Sequence, residues 1–199
     1  ADELAYQMGK MGKEIKRDLE RALVGVSQAA VAGADGVTAS RFQSTFNSVA
    51  SANETDAASG ALTETMVLDV MNKVYTSGGE VTTALIKPAS ALHVANFAYR
   101  DGGATYAAQR GRQVTGTEIT NVVDVYKSPW GRVTFKMDRF ILSTAALFYD
   151  PEMWTILWLR KWSKEKLAKT GDADNYMLLG ECTLKNHNFA ASGKITAIL

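Results

Sequence analysis

Residues 150–195 decide the fold, and they read DPEMWTILWLRKWSKEKLAKTGDADNYMLLGECTLKNHNFAASGKI. Three tryptophans in this stretch recur at intervals of four residues: Trp154, Trp158 and Trp162. This spacing fits one face of a helix and one face of a strand equally well, but the intervening Thr155, Ile156 and Leu157 favour a strand. Residues 176–184 and 194–199 also have a strand-like composition. The sequence therefore predicts a C-terminal third that consists largely of strands.

Upstream of this stretch, residues 119–137 carry the clearest hairpin pattern. Apolar residues mark a strand on each side of a turn: Ile119, Val123, Val125, Val133, Phe135 and Met137. The turn is residues 128–131, SPWG, whose Pro and Gly are typical of a tight connection. We therefore predict an antiparallel hairpin here.

The N-terminal residues have the period of an amphipathic helix. Their apolar side chains recur every three or four positions and would form one stripe: Leu4, Met8, Met11, Ile15, Leu19, Ala22 and Leu23. The opposite face is charged, with ion-pair spacing at Lys10 and Glu14, and Gly25 is suited to end the helix. We predict one long helix over residues 2–25, about six turns in length.

Between this helix and the hairpin the pattern changes every few residues. Residues 26–61 are mostly small and polar and are predicted to form a long, partly ordered connection. Three short elements are predicted next: a helix with Thr63 as N-cap that ends at Gly78 and Gly79, a buried strand over residues 83–86, and a helix from Pro88 to Phe97. Residues 101–116 are polar and Gly-rich, which predicts an exposed loop.

The overall composition narrows the class of protein. The chain has 199 residues, of which 46% are hydrophobic, and its 22 Lys plus Arg nearly balance its 21 Asp plus Glu. Dedicated nucleic-acid binders carry a basic excess, so DNA recognition is disfavoured as the main function. Cys182 is the single cysteine, which excludes an internal disulfide framework and fits folding in a reducing compartment. No apolar run approaches the roughly 18 residues of a membrane span, and no signal-peptide pattern begins the chain; we expect a soluble, unexported protein.

Few side chains suit a catalytic or ligand-binding role. His93 lies in a helical pattern and His187 in a polar turn, and neither has an evident partner that would make it a general base. Asp172 and Asp174 lie in a turn that lacks the further oxygen ligands of a calcium loop. Cys182 lies in a strand pattern, where a lone thiol is usually a small buried hydrophobe. We predict no catalytic, cofactor-binding or metal site, and no enzymatic activity.

The tryptophans allow two interpretations. A stacking platform for bases or sugars would expose their rings, whereas a core or subunit interface would bury them. The second is the commoner role for such a stripe. The set concerned is Trp130, Trp154, Trp158 and Trp162.

The sequence resembles a family of tailed-bacteriophage major capsid proteins with the Hong Kong 97-type fold. The motifs that carry the resemblance occur in order: Asp150 with Met153 and Trp154, Leu159 with Arg160, LAKTGD at 167–172, ECTL at 181–184 and NFAA at 188–191. Residues 122–133, VVDVYKSPWGRV, resemble the family's hairpin, and residues 2–25 resemble its long spine helix. Lys161, in place of a proline, and Phe189, in place of a glutamate, depart from the family pattern.

The resemblance implies an α+β fold in which the spine helix packs on mixed β-sheets. Residues 1–62 would form the first part of a peripheral domain, residues 63–142 an axial domain, and residues 143–199 the return strands and C-terminus of the peripheral domain. An N-terminal arm and an extended loop that lock neighbouring subunits together would precede Ala1. These elements are expected to be absent from this chain.

The function that the resemblance implies is that of a major capsid protein. Copies would assemble in the host cytoplasm as hexamers and pentamers of an icosahedral shell around double-stranded DNA, and the protein would be part of the virion. Expected partners are other copies, then portal, scaffold or decoration proteins and non-specifically contacted DNA, but no membrane. Two alternatives stay open: a cellular nanocompartment shell of the same fold, and a carbohydrate- or nucleic-acid-binding module that uses the tryptophans.

Overall fold

The computed structural model describes residues 3–34, 36–95, 97, 114–115, 118–119, 125–169, 171–172 and 174–199. The chain begins with the predicted long helix, α1, which spans Glu3–Val24. Its end is held by backbone hydrogen bonds from Thr45 N to Leu23 O (3.0 Å) and from Leu142 N to Val24 O (2.9 Å). None of the described helices is both long and apolar enough to cross a membrane.

The partly buried stripe of α1 differs from the predicted stripe at one position. Met11 was expected on it, but its side chain is 50% exposed. The covered stripe passes through Gly12, which follows Met8 by four residues and lines a small cavity with Trp162 and Leu178. Gly12, which has no side chain, therefore takes the place expected for Met11 on the face of α1 that packs on the rest of the molecule.

A six-stranded mixed sheet forms the body of the molecule. Its strands, in spatial order, are β1 (Glu54–Asp56), β10 (Gly193–Thr196), β7 (Ala146–Tyr149), β2 (Thr83–Ile86), β6 (Gly131–Met137) and β5 (Val125–Ser128). β1 pairs with β10, and β2 with β6, in parallel, whereas the other neighbours are antiparallel. The sheet thus combines strands from all three predicted domain ranges, and the division into peripheral and axial domains stays a prediction.

Two further helices, both predicted, follow β1 and β2 along the chain. α2 (Glu64–Thr76) begins where Thr63 Oγ1 accepts a hydrogen bond from Met66 N at 3.4 Å, and α3 spans Pro88–Ala95. The buried side chains of α2 join the sheet in one core. Its largest fully buried members are Met71, Val67, Val70, Val74, Phe148, Ile86, Ile195, Val94 and Val133.

The predicted hairpin is confirmed for residues 125–137, as β5 and β6. Ile119, expected on its first strand, lies instead in β4, and Val123 lies outside the described residues. Ser128 pairs with Gly131 across a two-residue turn, and Gly131 has φ +134°, a backbone conformation that favours glycine. Most of the predicted loop over residues 101–116 lies outside the described residues. Near the C-terminal end of this predicted loop, the short strand β3 (Val114–Thr115) pairs with β4 (Glu118–Ile119).

Two sequence predictions need correction. Residues 26–61 were expected to be a partly ordered connection, but they contain β1, the 3-10 helices Phe46–Ser48 and Ser51–Asn53, and a bridge between Val31 and Arg41. The strand expected over residues 194–199 ends at Thr196, because Ala197 adopts φ +53°, which is incompatible with an extended strand.

The tryptophan-rich stretch forms the predicted strands. β8 (Trp154–Lys166) pairs antiparallel with β9 (Tyr176–Asn186), and this two-stranded unit is called the β8–β9 hairpin. Its register shifts between Trp158 and Arg160 and again between Arg160 and Ser163. In the described part of the chain, these two strands form a sheet only with each other.

Candidate functional site

A groove lies between α1 and the β8–β9 hairpin. It has a volume of about 820 Å³. Apolar side chains from both elements line it: Ile15, Leu19, Ala22, Leu157, Trp158, Leu159 and Trp162. The helix therefore covers one face of the hairpin only in part.

Trp162 is placed in this groove by a glycine on the opposite strand. A Cβ atom on Gly180 would lie 2.4 Å from Cε3 of the Trp162 indole, so the ring occupies the space that a side chain at position 180 would take. The rings of Trp158 and Trp162 meet edge to face, with centroids 5.4 Å apart. This packing orients both indoles towards α1.

The four tryptophans do not form one stacking platform. Trp154, at the base of the hairpin, donates a hydrogen bond from Nε1 to Ser192 Oγ at 3.1 Å, whereas Trp130 packs on the core of the six-stranded sheet. Trp162 is 39% exposed. Trp158 and Trp162 thus share one contact, whereas Trp154 and Trp130 each take part in a different one.

The hairpin carries exposed apolar side chains where its register shifts. Leu159 is 83% exposed and Leu157 is 46% exposed. Beside them, the guanidinium of Arg160 donates two hydrogen bonds to Glu181, at 3.0 and 2.6 Å, and these bonds raise the pKa of Arg160. The result is an apolar surface next to a fixed ion pair.

The far end of the hairpin is charged, and one of its acidic residues, Asp174, forms ion pairs. Asp174 Oδ1 lies 3.0 Å from Lys166 Nζ and 3.7 Å from Lys169 Nζ, while Lys164 lies over the ring of Tyr176 at 4.2 Å. Asp174 is thus an ion-pair partner. Among the residues that the structure describes, no group of three or more His, Cys, Asp or Glu side chains could hold a metal ion.

The remaining candidates for chemistry lie apart on different elements. His93 is on α3, and His187, after β9, shares a hydrogen bond with Thr155 at 3.0 Å between Nε2 and Oγ1. Cys182 lines the groove beside Trp158, and burial raises the pKa of its thiol, which disfavours the reactive thiolate. The described geometry pairs none of these side chains as nucleophile and base.

A buried polar cluster that the sequence analysis missed joins β1 to the C-terminal strand. Asn53 is 1% exposed, and its Nδ2 donates to Ala190 O at 2.7 Å and to Ser192 O at 3.1 Å. Glu54 accepts hydrogen bonds from Thr196 at 2.8 Å and forms an ion pair with Lys194 at 3.1 Å. Burial acts to raise the pKa of Glu54, but these hydrogen bonds and the charge of Lys194 lower it overall.

The fold is similar to that of an encapsulin. The structure matches the SrpI encapsulin of Synechococcus elongatus PCC 7942, from a cryo-EM structure of its holo complex, with a TM-score of 0.63 and 12% identity. The match covers 100% of this chain and 66% of the encapsulin chain. It shows the predicted α+β fold of the Hong Kong 97 type.

The family follows from the sequence itself. A family model described as SU10 major capsid protein matches residues 1–199, so the chain belongs to the SU10 major capsid protein family. It is also 25% identical, over 250 residues, to the major capsid protein of Escherichia phage Phieco32, a match that covers 98% of this chain and 70% of that protein. The predicted identity as a phage major capsid protein is thereby confirmed, and the nanocompartment alternative has no better support.

Proposed function

We propose that copies of this chain assemble through hexamers and pentamers into the icosahedral shell that encloses the double-stranded DNA of a tailed phage. The observation that carries the proposal is the match to a capsid family along residues 1–199. The fold agrees with it, because a long helix lies beside a mixed sheet and a hairpin whose side chains are incompletely covered.

The charge balance supports assembly from many copies. With 22 basic and 21 acidic residues, the formal net charge is +1 at pH 7. Self-repulsion grows with net charge, so a nearly neutral subunit adds little repulsion when hundreds of copies meet. A strongly charged chain would need counterions for the same assembly.

The proposed role is structural and requires no catalysis by the chain. His93, His187 and Cys182 lie on separate elements, and no pair of them is positioned for acid–base or nucleophilic chemistry in the described ranges. In the proposal, residues 1–62 and 143–199 form the peripheral domain and residues 63–142 the axial domain. Assembly would take place in the host cytoplasm, with portal and scaffold proteins as further partners.

Nuclease protection tests this function. Lysate of infected cells is treated with DNase and sedimented on a density gradient, and the chain is located by mass spectrometry. We expect it in fast-sedimenting particles together with protected double-stranded DNA. Particles of this chain that hold an enzyme and no DNA would instead support a nanocompartment, and a chain found only among slowly sedimenting proteins would contradict both shell functions.

A further inference from the structure

We propose that the β8–β9 hairpin is a contact by which one copy of this chain binds the body of a second copy, with Leu157 and Leu159 as its apolar anchors. The inference rests on the shell assembly proposed above. It names the surface of one copy that makes a subunit contact, and the part of the second copy that this surface binds.

The first support is the concentration of exposed apolar side chains on one short segment. Single exposed apolar residues are ordinary on protein surfaces, whereas a cluster marks an interaction site. Four lie within seven residues of β8, with exposed fractions of 39%, 46%, 83% and 39%: Ile156, Leu157, Leu159 and Trp162. Leu159 lies at the register shift after Trp158, and such bulges redirect side chains away from the regular face.

The second support is the incomplete packing of the hairpin. Two strands alone are marginally stable in water, and among the described residues β8 and β9 form a sheet only with each other. α1 covers one face across an open groove of about 820 Å³. Leu157 and Leu159 both line this open groove, so a second copy that enters it beside α1 would cover their exposed surface and stabilise the ribbon.

The available area fits one contact among several. At a rise of about 3.4 Å per residue, the 13 residues of β8 extend about 44 Å. With two strands about 4.8 Å apart, one face of the ribbon offers roughly 400 Å². A stable interface buries about 800 Å² per partner. Because α1 covers part of this face, the hairpin supplies less than half of that area, and other surfaces must contribute the rest.

The charges favour contact of the hairpin with the body of another copy over contact between two hairpins. Residues 154–186 contain six basic and four acidic residues, whereas residues 26–153 contain ten basic and twelve acidic residues. Over all residues outside the hairpin, sixteen basic face seventeen acidic residues. A nearly neutral body accepts the basic hairpin without repulsion, whereas two hairpins would repel each other, which favours a head-to-tail arrangement. Head-to-tail contacts between identical subunits close into rings when the rotation allows it, which is the geometry of a capsomer.

The test replaces Leu159 with Asp in the full chain and compares it with Leu92→Asp, a matched change of a 65% exposed leucine on α3. Particle mass is followed by mass photometry against protein concentration, and circular dichroism checks folding. We expect Leu92→Asp to assemble like the unmodified chain and Leu159→Asp to need at least a tenfold higher concentration. Equal assembly thresholds for the two variants would overturn the inference.

A second measurement uses the unmodified chain and so does not depend on how Leu159→Asp folds. Hydrogen exchange of residues 154–166 is compared between dissociated subunits and assembled particles. We expect slower exchange in the particles, and exchange that does not change on assembly would contradict the inference. If the unmodified chain forms no particles, even with crowding salts and any co-encoded scaffold protein, the proposed function fails. If it assembles but Leu159→Asp assembles equally well, only the hairpin contact fails.

Discussion

Replacing Asn53 with Asp tests how the first half of the chain is joined to the last strand. Asn53 is buried, and its Nδ2 donates to the carbonyl oxygens of Ala190 and Ser192. Asp has the same size, so it leaves no cavity, but it replaces both hydrogen-bond donors with an acceptor. Each buried carbonyl that loses its partner costs about 1–3 kcal/mol, which gives a loss of about 2–6 kcal/mol for the two. For a chain of this length, such a loss lowers Tm by at least about 4 °C.

The assay is urea unfolding at neutral pH together with thermal melting. Asn72→Asp is the control, because it makes the same chemical change at an exposed position on α2; we expect it to alter stability by less than about 0.5 kcal/mol. A buried Asp that faces two carbonyl oxygens has a raised pKa, so the deficit of Asn53→Asp should shrink as pH falls. If both variants unfold at the same urea concentration, Asn53 does not hold the segment before β10 as described.

Three further changes test individual contacts. In Gly180→Val, the new Cβ would lie 2.4 Å from the Trp162 indole; we expect a loss of about 1–3 kcal/mol and a changed near-UV circular dichroism spectrum, and an unchanged spectrum would refute this packing. Because the pKa of Glu54 is lowered in the folded chain, its ionised carboxylate stabilises the fold at pH values above the ordinary glutamate pKa of about 4.3. This stabilisation is lost as pH falls through the lower pKa of the folded state. The urea midpoint of the wild type should therefore fall more steeply than that of Glu54→Gln between about pH 5 and pH 3, and parallel profiles would argue against the ion pair. In Gly193→Ala, the added methyl would lie 2.4 Å from Val70 Cγ1, so we expect a loss of about 1–3 kcal/mol in urea unfolding; wild-type stability would show that the core has room there.

The elements that the sequence predicted well are those whose signals are local. Thr63 marks the start of α2 through a bond to a backbone group three residues away, and residues 128–131 define their hairpin within four positions. β1 was missed because its partner, β10, lies at the other end of the chain. A three-residue strand that pairs so far away leaves no periodic pattern around itself.

The surface around the β8–β9 hairpin was predictable only in part. The residues between Trp154 and Trp158 correctly favoured strand over helix. The exposure of Leu159, however, depends on a register shift between two strands, and register is a property of the pair that β8 alone does not encode. In the same way, a glycine at position 180 gives no sign in the sequence that an indole packs over it.

The measurement that most directly tests the central claim is electron microscopy, with mass photometry, of the full-length gene product expressed alone. If the chain is a shell subunit, closed shells or rings with five- and six-fold symmetry will form. A uniform monomer that does not assemble, even with crowding salts and any co-encoded scaffold protein, would contradict the claim.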